Sequence, residues 1–542
     1  MNIRQNIFTN PILAGGYPDP SICRVGDDFY IVNSSFEYFP GLPIHHSKDL
    51  VNWELVGYGL HRPEQCVEAV NLVDVQTKGG IHAPTIRFHE GIFYIITTNV
   101  YLPPSKNEDT QFINFVITAK NIAGPWSAPH VLAGAPGIDP DIFFDDDGKV
   151  WYVGTHSPAN PNFAGEGEIW LQEIDLENWS LIGERYYLWR GACRGVWVEG
   201  PHIYKRRGKY YLLVAEGGTS FNHAVMIAMS DDIRGPYISN PRNPILTTRH
   251  LSYHHWVNST GHADLVELSD GRWYMVTLGI RGDEEQRSNM GRETHLVPVI
   301  WEKEPFEWQA VNPEWPVCAP ETGRVERNNP VPFENTQQYR NDAFYDNFDT
   351  PKLDLQWNFR RVPRQNTYSL SARKGHLRLF AFPERIQERA QYSFLGIRQR
   401  ESDFEYRVCM NFTPDEDGAE AGVCLLQQDD NYLTFTVKQE QGQRIIQLEY
   451  KAPSTAPQII CKKAIQYSDE IVLQIVSKDQ RYRYSYSTEN RDGYHLFTET
   501  AATHLLSKGY TGSYLGIFAT THGKTNQAYA DFDWVQYKGF QR

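Results

Sequence analysis

The stretch DPSICRVGDDFYIV, residues 19–32, contains the pattern from which the fold of this chain can be predicted. An apolar strand start is followed by a polar turn and then by an aromatic pair that leads an apolar run, which is typical of a β-hairpin. Four later segments repeat this order at intervals of 56 to 64 residues: APTIRFHEGIFYII from Ala83, DPDIFFDDDGKVWYVG from Asp139, GPHIYKRRGKYYLLV from Gly200 and HADLVELSDGRWYMV from His262. Self-similarity at a nearly fixed period indicates a repeat architecture.

A second landmark recurs within each unit. An aromatic residue closes a polar turn segment 34 to 46 residues after each hairpin start, at Trp53, Trp126, Trp179, Tyr237 and Trp308. The spacing leaves room for four short strands per unit, which is the content of a propeller blade. Five such units predict a five-bladed β-propeller.

The pattern changes after the fifth unit. We predict a propeller over residues 1–321, a polar, Pro-containing linker over 322–342 and a second domain over 343–542. In the second domain, residues 432–451 and 470–487 alternate apolar and polar side chains around short turns. This alternation predicts a β-sandwich, so the whole chain is expected to be all-β.

Composition and charge narrow the expected partners. The 542 residues include 52 Lys and Arg against 66 Asp and Glu, a formal net charge of −14. Nucleic acid and anionic membrane surfaces attract basic proteins, so we expect neither as a partner. The chain has no run of 18 apolar residues, no secretory signal pattern and seven scattered cysteines, so we expect a cytoplasmic protein with reduced thiols. Homo-oligomer formation stays open.

The start of each innermost strand lies beside the central axis of a propeller. At that position the five units hold Asp19, Ala83, Asp139, Gly200 and His262. Glu199 directly precedes the fourth position. Asp-Pro pairs also form turns, but the matching repeat positions of Asp19 and Asp139 favour a shared site at one end of the axis.

Three carboxyl groups around one axis suit proton transfer. Neighbouring carboxylates force their pKa values apart, so one stays protonated while another is ionised. Glycoside hydrolysis uses such a pair, one as the acid on the leaving oxygen and the other as the base on water or as the nucleophile. Groups from different blades are expected to stand far apart, and a separation of roughly 6.5–9.5 Å predicts inversion.

Seven motifs that run in order through the chain resemble those of glycoside hydrolase family 43, whose members are inverting five-bladed propellers. They are GYPDPSI (16–22), SSFEYFPGLPIHHSKDLVNW (34–53), GGIHAPTI (79–86), GIDPDIFFDDDG (137–148), VEGPHIYK (198–205), TGHADLV (260–266) and GRETHLVP (291–298). The C-terminal part resembles the concanavalin-like jelly roll of the family's β-xylosidase branch. The resemblance therefore extends over almost the whole chain.

The resemblance implies a role for each matched residue. Asp19 matches the general base, and Glu199 matches the general acid. Asp139 matches the carboxylate that tunes the pKa of the acid and orients the substrate. Arg292 matches the arginine that contacts the terminal sugar, and Phe36 matches a residue of the apolar wall.

Two histidines are further candidates for the site. His82 replaces a Trp of closely similar β-xylosidases and is expected to contact substrate. His262 matches an axial histidine that in some relatives lies beside a bound ion or water; a structural hub, an ion ligand and a direct substrate contact all stay open. We expect no cofactor to be required for catalysis and assign no metal. The DDDG segment (145–148) resembles a calcium loop, so a structural Ca²⁺ stays open, although its place in a hairpin favours a solvated turn.

The resemblance implies an exo-acting enzyme that releases β-D-xylose, α-L-arabinofuranose or both from hemicellulose-derived xylo- or arabino-oligosaccharides. His82 and the segment GTHSPANPN (154–162) leave the choice of sugar open. Two alternatives remain: an endo-acting arabinanase or xylanase, which needs an open groove, and a non-catalytic carbohydrate-binding propeller. We expect the C-terminal sandwich to be structural, with one loop that closes the active site.

Overall fold

Five antiparallel sheets follow one another along the first part of the chain and confirm the predicted five-bladed propeller. The computed structural model describes residues 6–541, except 106–107, 194, 253, 284, 286, 304–313, 341, 415, 468, 489–492, 503–504 and 525–526. The expected landmark at Trp308 lies outside the described residues. Among the described residues, no helix combines the length and the apolar character that a membrane crossing requires.

The blades are numbered along the chain, and their strands are given from the axis outward. Blade 1 contains Ser21–Val25, Asp28–Val32, Gly41–Ser47 and Glu54–Leu60. Blade 2 contains Gly80–His89, Ile92–Tyr101, Gln111–Ala119 and His130–Val131. Blade 3 contains Ile138–Phe144, Val150–His156, Glu168–Asp175 and Ser180–Trp189. Blade 4 contains Glu199–Arg206, Lys209–Glu216 and Ala224–Ser230, with Ile238–Ser239 and Leu246–Thr247 at its edge. Blade 5 contains Asn258–Glu267, Trp273–Ile280, Arg292–Lys303 and Glu314–Cys318.

The start of the chain closes the ring of blades. Ile7–Thr9 pairs with Asn328–Pro330, which follows blade 5. The Asn10 side chain donates to the carbonyl of Leu296 and accepts from its amide, both in blade 5. The first and last segments of the propeller are therefore held together by backbone hydrogen bonds.

The aromatic landmarks stabilise turns near the outer strands. The indole N–H of Trp53 donates to the Leu50 carbonyl, and that of Trp126 donates to the Ile122 carbonyl. In blade 4 the Tyr237 hydroxyl donates to the Ile233 carbonyl. Each ring satisfies a turn carbonyl three or four residues earlier, so the repeated aromatic has a structural role.

One guanidinium group joins all five inner strands. Arg87 of blade 2 lies on the axis, with Nη2 2.9 Å from Asp141 Oδ2 of blade 3 and Nη1 3.0 Å from Asp264 Oδ2 of blade 5. Nη2 lies 3.1 Å from His202 Nδ1 of blade 4, and Nη1 lies 3.4 Å from Ser21 Oγ of blade 1. Asp141 and Asp264 are fully buried, and this arginine compensates their charge.

The second domain is a sandwich, as predicted, and its described residues form two sheets of eight strands each, one of which includes a strand from the propeller sequence. One sheet contains Ala343–Asp346, Tyr368–Ser369, Leu377–Phe380, Asp403–Asn411, Ile471–Lys478, Arg481–Ser487, His495–Ala501 and Tyr529–Phe540. The other sheet contains Tyr38–Phe39, Asn358–Arg360, Ser393–Arg398, Glu420–Gln428, Asn431–Glu440, Gln443–Lys451, Gln458–Ala464 and Tyr514–Thr520. A single short 3₁₀ helix, Pro63–Cys66, occurs in the described part of the chain.

The two domains share a sheet and a core. Tyr38–Phe39 belongs in sequence to blade 1, yet it pairs with Asn358–Arg360 as the edge strand of the sandwich. Leu42 and Ile81 of the propeller and Trp357 of the sandwich belong to one continuous hydrophobic cluster. The loop after the first hairpin of blade 1 is therefore held by the second domain.

Buried ion pairs reinforce this junction. Arg360 Nη2 lies 2.6 Å from Glu37 Oε1, and Arg360 Nε lies 3.0 Å from Asp429 Oδ1. Arg361 Nη2 lies 2.6 Å from Asp429 Oδ2. Both arginine side chains are almost fully buried. Since a buried ion pair requires well-defined geometry, these contacts fix Glu37 and its neighbours in place.

We predict that Arg87→Met lowers the free energy of unfolding of the propeller by about 3–5 kcal/mol, because Asp141 and Asp264 keep their buried charges without a counter-ion. Chemical denaturation followed by tryptophan fluorescence measures this loss. Arg207→Met is the control, because its ion pair with Glu314 is at the surface and its removal should change the midpoint little. Equal effects of the two substitutions would contradict the proposed role of Arg87.

Candidate active site

The axial positions predicted from the repeat share an unusual backbone conformation. Their φ angles are 50° at Asp19, 39° at Ala83, 54° at Asp139, 57° at Gly200 and 46° at His262. In blades 2 to 5 the pairing of the inner strand also shifts register at this point. A bulge re-aims the side chain that it carries, and left-handed backbone at a residue other than Gly costs of order 1–3 kcal/mol. The fold therefore holds four of these five axial residues, all except Gly200, in a strained conformation at one end of the axis.

Asp19 is buried among groups that favour its charged form. Arg292 Nη1 donates to its Oδ1 over 2.8 Å, and the Ser34 hydroxyl donates to its Oδ2 over 2.7 Å. Burial opposes ionisation, but Arg292, His262 and Ser34 together hold the pKa of Asp19 below its usual value. Asp19 is therefore a carboxylate that can accept a proton.

Asp139 and Glu199 form a coupled pair on neighbouring blades. The backbone N–H of Gly200 donates to Asp139 Oδ2 over 3.1 Å. Burial raises the pKa of Glu199 to about 7, and the charge of Asp19 contributes. Burial and the charge of Glu199 raise the pKa of Asp139. The two carboxyl groups therefore titrate as a linked pair. Glu199 Oε1 is buried and has no hydrogen-bond partner in the protein, so it can serve a substrate atom.

An aromatic wall surrounds Arg292. Its Cζ lies 4.4 Å from the centre of the Tyr510 ring and 5.6 Å from that of Phe36. The Phe36 and Tyr510 rings are 5.4 Å apart. Arg292 Nε also donates to the Tyr510 carbonyl over 3.0 Å. The guanidinium group is therefore fixed in orientation by both domains.

The two candidate histidines are neutral at pH 7. Burial lowers the pKa of both His82 and His262 to about 4. The His82 ring meets Phe36 edge-on at 5.1 Å, and its Nε2 has no protein partner. His262 Nδ1 lies 3.8 Å from Asp19 Oδ1, and its ring lies so close to Gly200 that a Cβ there would stand 3.0 Å from it. His262 therefore supports both Asp19 and the backbone next to Glu199.

The sequence did not identify Tyr510, which reaches the site from the sandwich. Its loop approaches the propeller where glycines face each other: a Cβ on Gly291 would stand 2.4 Å from the Gly512 nitrogen. Only glycine permits this approach of Tyr510 to Arg292. The glycine-flanked sequence KGYTGSY (508–514) signals a loop and gives no indication of where the loop packs.

The DDDG turn binds a side-chain cation. Lys205 Nζ lies 2.6 Å from Asp145 Oδ1 and 3.0 Å from Asp146 Oδ2, and the Tyr210 hydroxyl donates to Asp145 over 2.7 Å. At the axis, Arg87 likewise supplies positive charge to buried carboxylates. Protein cations thus pair with the acidic groups of this turn and with Asp141 and Asp264 at the axis.

The arrangement can carry out acid–base chemistry on a sugar. An ionised carboxylate, a protonated carboxyl group and an aromatic wall meet at one end of a five-bladed propeller, and this combination defines a glycosidase. The family description "Glycosyl hydrolases family 43" matches residues 8–306, and "Beta xylosidase C-terminal Concanavalin A-like domain" matches residues 345–538. The chain belongs to glycosyl hydrolase family 43, which confirms the resemblance seen in its motifs.

Relatives are similar over their full length. A xylosidase/arabinosidase of Butyrivibrio fibrisolvens is 39% identical over 97% of this chain and 98% of its own. A non-reducing end α-L-arabinofuranosidase of Bacteroides ovatus is 35% identical over 99% of this chain and 96% of its own. The solved structure of a xylan β-1,4-xylosidase from Bacillus halodurans is 30% identical, with a TM-score of 0.88, and the match covers 98% of this chain and 100% of that one.

We predict that Asp139→Asn moves the basic limb of the pH profile of kcat/KM to lower pH. As the general acid that the resemblance implies, Glu199 would act when protonated, so activity should fall as the pH rises through its pKa, about 7. In the role that the resemblance implies, Asp139 raises that pKa by like-charge repulsion, and neutral Asn removes the repulsion. Asp147→Asn, at an exposed turn position of the same blade, is the control and should leave the limb in place. An unmoved limb in Asp139→Asn would show that Asp139 does not tune the acid.

Proposed function

We propose that this glycosidase is exo-acting and inverting, and that it releases terminal β-D-xylose, α-L-arabinofuranose or both from xylo- or arabino-oligosaccharides. The observation that carries this proposal is the contrast between two buried carboxyl groups. Asp19 is held ionised by Arg292, whereas Glu199, on another blade, has a pKa of about 7 and an unpartnered oxygen. Such a pair supplies a base and an acid at the same pH.

The proposed reaction uses each group once. Glu199 donates its proton to the glycosidic oxygen as the bond to the anomeric carbon breaks. Asp19 takes a proton from water, whose oxygen attacks that carbon from the opposite face. Arg292 uses Nη1 for Asp19 and Nε for the Tyr510 carbonyl, which leaves Nη2 for a hydroxyl of the terminal sugar. The aromatic rings of Phe36 and Tyr510 would bind the apolar side of that sugar.

The choice of exo action and of pentose rests on two lines of support. The Tyr510 loop of the sandwich closes one side of the site, and a closed pocket favours the end of a chain over its middle. The relatives from Butyrivibrio fibrisolvens and Bacteroides ovatus are named for xylosidase, arabinosidase and non-reducing end arabinofuranosidase activities. An endo-acting enzyme would need the same site to be open at both ends.

We predict that Asp19→Asn abolishes turnover of all substrates, while the loss in Glu199→Gln depends on the leaving group. General acid catalysis contributes about 10²–10⁴-fold, and an activated p-nitrophenolate needs little of it. Steady-state rates on a pentose disaccharide and on the matching p-nitrophenyl glycoside measure the difference. The exposed substitution Glu184→Gln is the control. Near-normal disaccharide hydrolysis by Asp19→Asn would overturn the assignment of the base.

We predict that p-nitrophenyl β-D-xylopyranoside, p-nitrophenyl α-L-arabinofuranoside or both are hydrolysed, and that oligosaccharides lose one pentose at a time. Proton NMR of the first product from a β-xyloside should show α-xylose, because water attacks opposite the leaving group. Initial β-xylose would refute inversion. Early products of intermediate length from a hexasaccharide would refute exo action.

A further inference from the structure

Trp197 is an exposed tryptophan in a strained conformation next to the catalytic acid. It precedes Glu199 by two residues, has a φ angle of 50° and is 57% exposed. A bulky residue with positive φ is a conformational outlier. An exposed large aromatic side chain also lacks the stabilising free energy that its burial would contribute. The two costs occur together at the mouth of the site, so an unexplained feature lies beside a catalytic group.

The Trp197 ring packs against two glycines. A Cβ on Gly218 would stand 2.8 Å from Trp197 Cε3, and one on Gly165 would stand 3.2 Å from Cε2. Gly165 belongs to the loop after Val150–His156, and Gly218 belongs to the loop after Lys209–Glu216. Second strands of antiparallel blades end where inner strands begin, so both loops lie at the active-site end. The indole therefore packs against two backbone loops there, and more than half of the residue stays exposed.

A buried carboxylate fixes the segment that carries this ring. Glu216 is 1% exposed and accepts hydrogen bonds from the backbone amides of Ala192, Cys193 and Gly195. The Trp197 amide donates to the Gly165 carbonyl over 2.6 Å. Hydrogen bonds to a charged acceptor are stronger than neutral ones. The ring is thus preorganised although it lies on a surface loop.

We propose that Trp197 is the platform for the sugar ring on the leaving-group side of the scissile bond, and this inference rests on the proposed function. Glu199 gives its proton to the leaving oxygen, so the leaving group must lie beside Glu199. The terminal sugar is placed by Arg292 and Phe36, which come from other blades. Trp197 provides a flat apolar surface next to Glu199, and such a surface suits the C–H face of a sugar ring. It is a specificity-determining residue for the leaving group.

The test compares two substrates that share the terminal pentose which the wild type accepts. One is a disaccharide, and the other is a 2,2,2-trifluoroethyl glycoside, whose activated leaving group has no ring. For Trp197→Ala, the loss of kcat/KM on the disaccharide should exceed the loss on the trifluoroethyl glycoside by about tenfold. Trp197→Phe should recover most of this difference, because it restores a flat ring. Tyr345→Ala, at an aromatic of the sandwich that is 59% exposed, is the matched control and should not change the ratio.

A stability measurement separates this role from a structural one. Glycine adopts positive φ without strain, so Trp197→Gly should keep or raise the thermal midpoint while it loses discrimination between the substrates. If Trp197→Ala lost equal kcat/KM on both substrates while the wild type remained active, this inference would be overturned and the proposed function would stand. A lowered midpoint in Trp197→Gly would likewise assign the ring a structural role. A wild-type protein that cleaves neither substrate would overturn the proposed function, and this inference with it.

Discussion

The ring of blades depends on the guanidinium of Arg87, which contacts all four other inner strands. Its partners Ser21, Asp141, His202 and Asp264 each lie two residues after an axial position. Two buried carboxylates next to one buried cation tolerate little displacement, since any separation leaves charge without compensation. The layer around Arg87 therefore sets the distance of each inner strand from the axis. The strained layer that contains Asp19 and Asp139 is built directly on it.

Within that strained layer, three carboxyl groups have different neighbours, and these neighbours give them different pKa values. Asp19, Asp139 and Glu199 are all buried, so desolvation alone would raise every pKa. Arg292 contacts Asp19 and reverses the effect there, whereas the charge of Asp19 adds to the effect of burial at Glu199, and the charge of Glu199 adds to it at Asp139. The contact with one arginine thus distinguishes Asp19 from the other two carboxyl groups. The second domain keeps that arginine in place through the Tyr510 carbonyl.

The repeat made the fold and the axial residues predictable, because equivalent positions of identical units must converge. Arg87 was missed, although the sequence held a signal. At its repeat position the other units have Cys23, Phe143, Tyr204 and Val266, so a charged residue there is an exception that a central ion pair explains. The contribution of Tyr510 could not be predicted, because it is 218 residues from Arg292 and only tertiary packing brings them together. The left-handed backbone conformation at the axis could not be predicted from residue type, since Ala83, His262 and Asp19 all adopt it.

The sheet that the two domains share pairs segments that are synthesised at different times. Tyr38–Phe39 is synthesised early, but its partner strand Asn358–Arg360 and the wall residue Tyr510 leave the ribosome much later. Propeller hairpins are local in sequence and can form while translation continues. A polypeptide released before Tyr510 would contain Asp19, Asp139 and Glu199 and still lack the aromatic ring that packs on Arg292. The wall of the pocket is therefore completed only after the segment with Tyr510 has been synthesised, long after the axial carboxyl groups.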